Sequence, residues 1–377
     1  MVRKKSYVVT YVCLILYLVG SMMIAGCKKR NAPDDLSLVI STAPEGNITK
    51  TVTITPSPTK APDPTLDGKA ISKLTGEWVV EEVANQRPYA IMLNNIVYAN
   101  PQSGISDASI LYEALVEGGI TRLMGIYEGI DPNSLTAGRI GSIRSARHYY
   151  VSFADEYDAI YVHYGQTTYA TKKIKALGVD TISGMAGPGV NSFYRDKSIK
   201  APHNAFITLE GLEKALTKGK YRTTYVEGYE GHFKFYDKDT VVYSEQIANK
   251  VKLKFSKQIT PILTYDQEKK EYLRFQYNGE HIDYNTKEQL SFKNIIVQFV
   301  KEWDIDKNGY QTMELENASG TGYYITNGKV TNITWKKNES TRIMRYYDEK
   351  GEELTINPGK TYIAIFPKQR VEDVVLE

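Results

Sequence analysis

A chain of 377 residues, 42% of them hydrophobic and 24% charged, has room for two ordinary domains and is too apolar for wholesale disorder. Its two cysteines exclude a disulfide scaffold and a four-cysteine zinc site. The net charge of +3 is matched by Arg3, Lys4 and Lys5 alone, with no acid before residue 27, so the rest of the chain is neutral and a nucleic-acid partner is not expected.

Residues 1–27 place a basic start before an apolar run and a stretch of small residues, the layout of a secretory signal peptide. Ile24-Ala25-Gly26-Cys27 resembles a bacterial lipobox. That resemblance implies a diacylglycerol on Cys27, cleavage just before it, and a mature chain held at the outer face of the cell membrane. The alternative is an uncleaved transmembrane anchor over 7–25. Both readings put the chain beyond Cys27 outside the cytoplasm. Residues 28–75 read as a disordered tether: the part over 41–65 is dense in Ser, Thr and Pro, has no aromatic residue and cannot bury enough apolar surface to offset its ordering entropy. A Ser-x-x-Lys at Ser57–Lys60 falls in this tether, where nothing would hold it in place.

From 76 to 225 the pattern alternates strand and helix. A strand is expected over 87–95 and a helix over 108–115, capped by Ser106 or Asp107 and stopped at Gly118-Gly119. There follow a strand over 120–127, a helix entered from Ser142 or Ser145 through Arg147, a strand over 158–163 and a helix over 168–177. This predicts a layered α/β domain. From 240 to 370 short alternating strands are separated by Asn278-Gly279, Asn308-Gly309 and Asn327-Gly328, which predicts an antiparallel β domain. Strands are expected over 240–244, 250–255, 272–277, 294–300, 311–315, 322–326, 330–336, 342–347 and 362–366. The fold class expected is therefore α+β.

The segments RPYAIMLNN, PQSGISDASILYEALVEGGITRLMGIYE, IGSIRSARHYYV, DAIYVHYG and APHNAF, together with YLRFQYNGEHIDYNT and NIIVQFV further along the chain, resemble the YerB-like bacterial lipoproteins. That family is built on a domain of unknown function. The resemblance implies an architecture and a location, and no reaction.

Candidate chemistry gathers in the first domain. Arg144 and Arg147 would share a helix face, with Arg122, Arg139 and Arg195 near them, and a guanidinium cluster at a helix start can receive an oxyanion or phosphate. Glu113 and Glu117 sit four apart in the expected helical pattern and could instead neutralise those arginines. His163 ends a strand, and His203 and Asn204 come after Pro202 in a turn. The residues weighed for ligand binding are Arg122, Arg144, Arg147, Arg195 and Asn204. Those weighed for catalysis are His163 or His203 as general base with Glu113 or Glu117. No metal site or cofactor is expected. His281 and Asp283 share a strand face but are too few for a metal. The loop Asp304-Ile305-Asp306-Lys307-Asn308-Gly309 has Leu where a calcium loop needs its bidentate Glu, and reads better as a hairpin turn. The sequence therefore points to a lipid-anchored, extracytoplasmic binding or scaffold protein of the cell envelope. Its partners would be the membrane, through the anchor, and an envelope polymer or a membrane protein. A cell-envelope hydrolase acting on a wall or phosphate-containing substrate is the alternative.

Overall fold

The computed structural model describes residues 66–129, 138–338 and 340–377. The signal segment, Cys27 and the tether up to residue 65 lie outside the described residues. The folded body begins earlier than residue 76: Lys69–Ile71 pairs with Trp78–Val80 as a hairpin, and Ser72 and Leu74 are fully buried. The Ser72 hydroxyl accepts hydrogen bonds from the amides of Leu74 and Thr75 and donates to Glu128 Oε2 at 2.6 Å, so polar side-chain chemistry fixes this entry turn.

The first half of the chain supplies five strands of the largest sheet: β1 (Tyr89–Asn94), β2 (Ile110–Leu115), β3 (Thr121–Tyr127), β4 (Ile160–His163) and β5 (Thr181–Ser183). Next come β6 (Lys250–Leu253), β7 (Ile262–Asp266) and β8 (Glu271–Gln276), then β9 (Asn294–Val300), β10 (Ser319–Thr326), β11 (Lys329–Lys337), β12 (Met344–Tyr347), β13 (Thr361–Pro367) and β14 (Val374–Leu376). Ten of these form one mixed sheet in the order β12-β11-β10-β9-β13-β2-β3-β1-β4-β5. The sheet thus crosses from one half of the chain to the other at β13, which runs parallel to both of its neighbours and sets Ala364 opposite Val297 of β9 and Glu113 of β2. A second sheet contains β8, β7, β6 and β14 in that order.

Two apolar cores lie on the two faces of the large sheet. On one face Leu111, Leu123, Ile295 and Val297 meet Val251, Leu253, Leu263 and Tyr272 of the second sheet. On the other, Tyr112, Met124 and Ile363 meet Tyr149, Tyr150 and Phe153 of helix α1 (His148–Glu156). Helix α2 (Thr168–Leu177) spans the residues expected, because Thr167 caps the Ala170 amide at 3.1 Å and Gly178 closes it with φ of 70°. Helix α3 (Leu209–Gly219) is capped in the same way by Thr208. The α+β class read from the sequence is the class found.

Three expected elements are corrected. The helix expected over 108–115 is strand β2. All six of its residues are buried because both faces of the sheet are covered, so the apolar run has no clean period to distinguish strand from helix. Gly118 and Gly119, at φ of 77° and 70°, turn the chain from β2 into antiparallel β3. The strand expected over 240–244 is irregular: Val241 and Tyr243 are 74% and 88% exposed and find no ladder partner among the described residues. The helix expected to carry both Arg144 and Arg147 starts only at His148, with Arg147 as its flanking residue.

Candidate anion-binding site

Strands β1 and β4 run parallel, side by side. Just beyond their carboxyl ends the segment 142–146 wedges between them. The Asn94 amide donates to Ser142 O at 2.9 Å and the Arg144 amide to Met92 O at 3.0 Å, while the amides of Tyr164 and Ala146 donate across to Arg144 O and Gly165 O. Ligand crevices in α/β sheets form outside the carboxyl ends of parallel strands, which is where this backbone delivers Arg144.

The arginines divide into two groups. Arg122 and Arg147 are buried and share one carboxylate: Glu117 Oε1 meets Arg122 Nη2 at 3.4 Å, Glu117 Oε2 meets Arg147 Nε at 2.9 Å, and Arg147 Nη2 closes on Glu117 Oε1. Arg139 is likewise committed, to Asp196 at 2.6 Å, with its guanidinium over Phe206 and Tyr284.

Arg144 and Arg195 form the second group. Arg144 donates to Pro202 O at 3.2 Å, and Arg195 donates to Asn204 Oδ1 at 2.7 Å while lying 4.6 Å over the Tyr164 ring. Among the described residues neither has a carboxylate within ion-pair distance. Burial, then the charges of Arg122 and Arg195, push the Arg144 guanidinium down to about 10, so it stays protonated at neutral pH but is under repulsion from its own kind. His203 sits beside Pro202. The Asn94 side-chain Nδ2 lies 3.0 Å from its Nδ1, which then accepts and leaves Nε2–H as a donor. Burial first, and then Arg144, push the imidazole below its ordinary value and keep it neutral. Two guanidinium groups and one imidazole donor thus lie near one another, beside the Asn94 and Ser142 side chains, which are 3.4 Å apart. This set can receive a phosphate or carboxylate, and it can hold no cation.

The catalytic pairs considered from sequence do not form. Glu113 is on the opposite face of β2 from α1, fully buried, and bonded to Arg274 Nη2 at 2.7 Å, Thr121 Oγ1 at 2.6 Å, Asn95 Nδ2 at 3.0 Å and Tyr362 OH at 2.6 Å. Arg274 Nη1 in turn meets His281 Nδ1, and His281 Nε2 meets Gln102 Oε1 at 2.6 Å. Glu117 is occupied by its two arginines. His163 is fully buried with Nδ1 on Gly165 O at 2.9 Å, and burial pushes it down to about 4. Neither glutamate touches either histidine, because Glu113 faces the second sheet rather than extending a helix toward the arginines. Asp283 does not bond His281; it accepts from the amides of Gly104 and Ser106. Loop 304–309 links two short paired strands, Glu302–Asp304 and Gln311–Met313. Among the described residues no three His, Cys, Asp or Glu side chains converge as metal ligands, and no helix is long and apolar enough to cross a membrane.

Sequence reasoning missed Asn94 and Ser142, whose roles come from the wedge between strands. It also missed Arg274, whose signal was an inverted pattern: in β8 the inward positions are Tyr272, Arg274 and Gln276, while Leu273 and Phe275 turn outward.

Known proteins share this architecture. Residues 74–222 match the N-terminal domain, and residues 251–363 the C-terminal domain, of the protein of unknown function DUF3048. YerB of Bacillus subtilis (strain 168), provisionally named a lipoprotein, is 30% identical over 301 residues, which is 79% of this chain and 87% of that protein. The crystal structure of the YerB protein from Bacillus subtilis aligns with a TM-score of 0.71 at 27% identity, covering 82% of this chain and all of that one. The chain therefore belongs to the YerB-like family defined by the paired DUF3048 domains.

Proposed function

We propose that this protein is a lipid-anchored binding protein on the extracytoplasmic face of the cell membrane, which receives an anionic group of an envelope component at Arg144, Arg195 and His203. The single observation that carries the reading is the guanidinium of Arg144: half-buried at the carboxyl ends of β1 and β4, repelled by Arg122 and Arg195, and met by one backbone carbonyl where Arg122, Arg139 and Arg147 each have a carboxylate. An incoming phosphate or carboxylate would relieve that repulsion and could bond the guanidinium fork bidentately. The lipid anchor is supported by Ile24-Ala25-Gly26-Cys27 and by the lipoprotein name of the Bacillus subtilis relative.

Two experiments test the two halves of the proposal. Cys27→Ser is expected to abolish metabolic labelling by a fatty acid such as palmitate; labelling that persists overturns the anchor. A binding screen of phosphorylated and carboxylated envelope fragments is expected to yield a ligand whose affinity falls at least tenfold in Arg144→Ala and in Arg195→Ala. A screen with no ligand sensitive to either substitution overturns the site.

A further inference from the structure

A second cationic surface lies far from Arg144 in sequence, on the outer face of the second sheet. Alternation along β6 sends Val251 and Leu253 into the core and turns Lys252 outward, and Lys254 follows just past the strand's end. A cavity of about 710 Å³ opens there, and its charged lining is Lys252, Lys254, Lys257, Arg370 and Asp373. Arg370 is fixed by donating to Phe255 O at 2.7 Å and Lys254 O at 2.5 Å, and it holds Asp373 at 2.7 Å, so the one carboxylate of the lining is already matched. Lys250, on the same strand, is matched by Glu377 at 3.0 Å. Among the described residues Lys252, Lys254 and Lys257 have no acid within ion-pair distance, which leaves three ammonium groups around one recess.

The shape and lining select among anions. Side chains two apart on a strand are rooted roughly 7 Å from each other. Lysine side chains are long enough to converge on one small anion, but a chain whose charges recur at a comparable interval engages several of these ammonium groups without crowding them together. A lipid surface does not enter a recess, and Ile262 is the only large apolar side chain in the lining. Single-stranded nucleic acid depends on aromatic platforms for its bases, and among the described residues the lining contains no aromatic ring. Hydroxyls of Ser256 and Thr260 add neutral donors suited to phosphate oxygens. We propose that this recess binds a linear, base-free polyanion with closely spaced phosphate groups, at a site separate from the Arg144 rim.

The test uses the full-length protein in detergent, with fluorescently labelled inorganic polyphosphate and poly(glycerol phosphate) as probes. Orthophosphate, phosphatidylglycerol vesicles and single-stranded DNA are the comparisons. Lys252→Gln/Lys254→Gln/Lys257→Gln is set against Lys172→Gln/Lys175→Gln/Lys214→Gln, which removes the same charge from exposed positions of α2 and α3. The first variant should bind the polymers at least tenfold more weakly, with a log-affinity against log-salt slope shallower by roughly two to three. The second should bind within twofold of the natural protein, and a Lys→Arg version of the first should retain binding. The proposal is overturned if the natural protein binds neither polymer at low salt, if both glutamine variants lose affinity equally, or if vesicles or DNA bind more tightly than the polymers.

Discussion

Arg274 and Glu113 meet at 2.7 Å with neither side chain reaching solvent, and they belong to different sheets, β8 and β2. The remaining acceptor capacity of Glu113 is taken up by Thr121, Asn95 and Tyr362, while Arg274 Nε has no hydrogen-bond partner among the described residues. Removing one partner strands the other. Glu113→Gln and Arg274→Met are each expected to lower unfolding free energy by about 3–5 kcal/mol in urea titrations. Their double variant should cost less than the sum by at least ~1 kcal/mol. Strict additivity would show that the two residues act independently.

A second buried constellation behaves in the same way on the other face. Glu156 holds Lys337 at 2.7 Å and His232 at 2.8 Å, all three shut off from water, tying α1 to β11. Burial pushes the Glu156 carboxyl up, but Lys337 and His232 outweigh it and hold it below the ordinary range. A carboxyl lowered by folding adds stability that is present above its unfolded value, about 4.3, and is lost as pH falls through its folded value. Lys337→Met should therefore destabilise by about 3 kcal/mol at pH 7 and by less at pH 4, where the unpaired carboxyl is protonated. An equal loss at both pH values would contradict this.

Glu128 has the opposite sign. Burial, then repulsion from Glu77, push it up to about 7 against the hydrogen bond from Ser72. A carboxyl raised by folding favours the native state below about 4.3 and penalises it progressively as pH rises through 7. Glu128→Gln should therefore gain on the natural protein by about 1–2 kcal/mol between pH 5 and pH 8, read from paired denaturation curves. A difference that does not change with pH would place Glu128 in a solvated setting.

His163 completes the set. Its folded value of about 4 lies below the unfolded one, about 6.5, because the ring is buried and, among the described residues, hydrogen-bonds only Gly165 O. The unfolded chain takes up a proton across that window and the native protein does not, so stability falls as pH drops from about 6.5 to 4. His163→Leu should flatten that part of the melting-temperature profile. An unchanged slope would assign the acid sensitivity to other groups.

Much of this arrangement could be read from residues alone, and the failures have specific causes. Strand β9 and helix α2 were legible to the residue: each was expected over the positions it occupies, 294–300 and 168–177. Strand β2 was not, because covering both faces erases the alternation that distinguishes a strand from a helix. That one misreading turned Glu113 toward the arginine cluster and away from the second sheet, whose Arg274 pairs with it. The cluster itself was visible, but its division into paired and open members depends on Glu117, which lies in a turn whose direction local sequence does not encode. Asn94 and Ser142 joined the site through a wedge between β1 and β4, a tertiary event without a local signature.

Strand β13 is the last long strand of the chain and occupies the middle of the large sheet, between β9 and β2. A polypeptide that emerges amino-terminus first therefore holds two half-sheets whose inner margins stay open until residue 367 is free. Until then β2 and β9 present unpaired backbone to whatever strand comes near. Closure of the large sheet consequently waits for residues 361–367, and a stop codon placed just before residue 361 would yield two sticky half-sheets rather than one closed sheet.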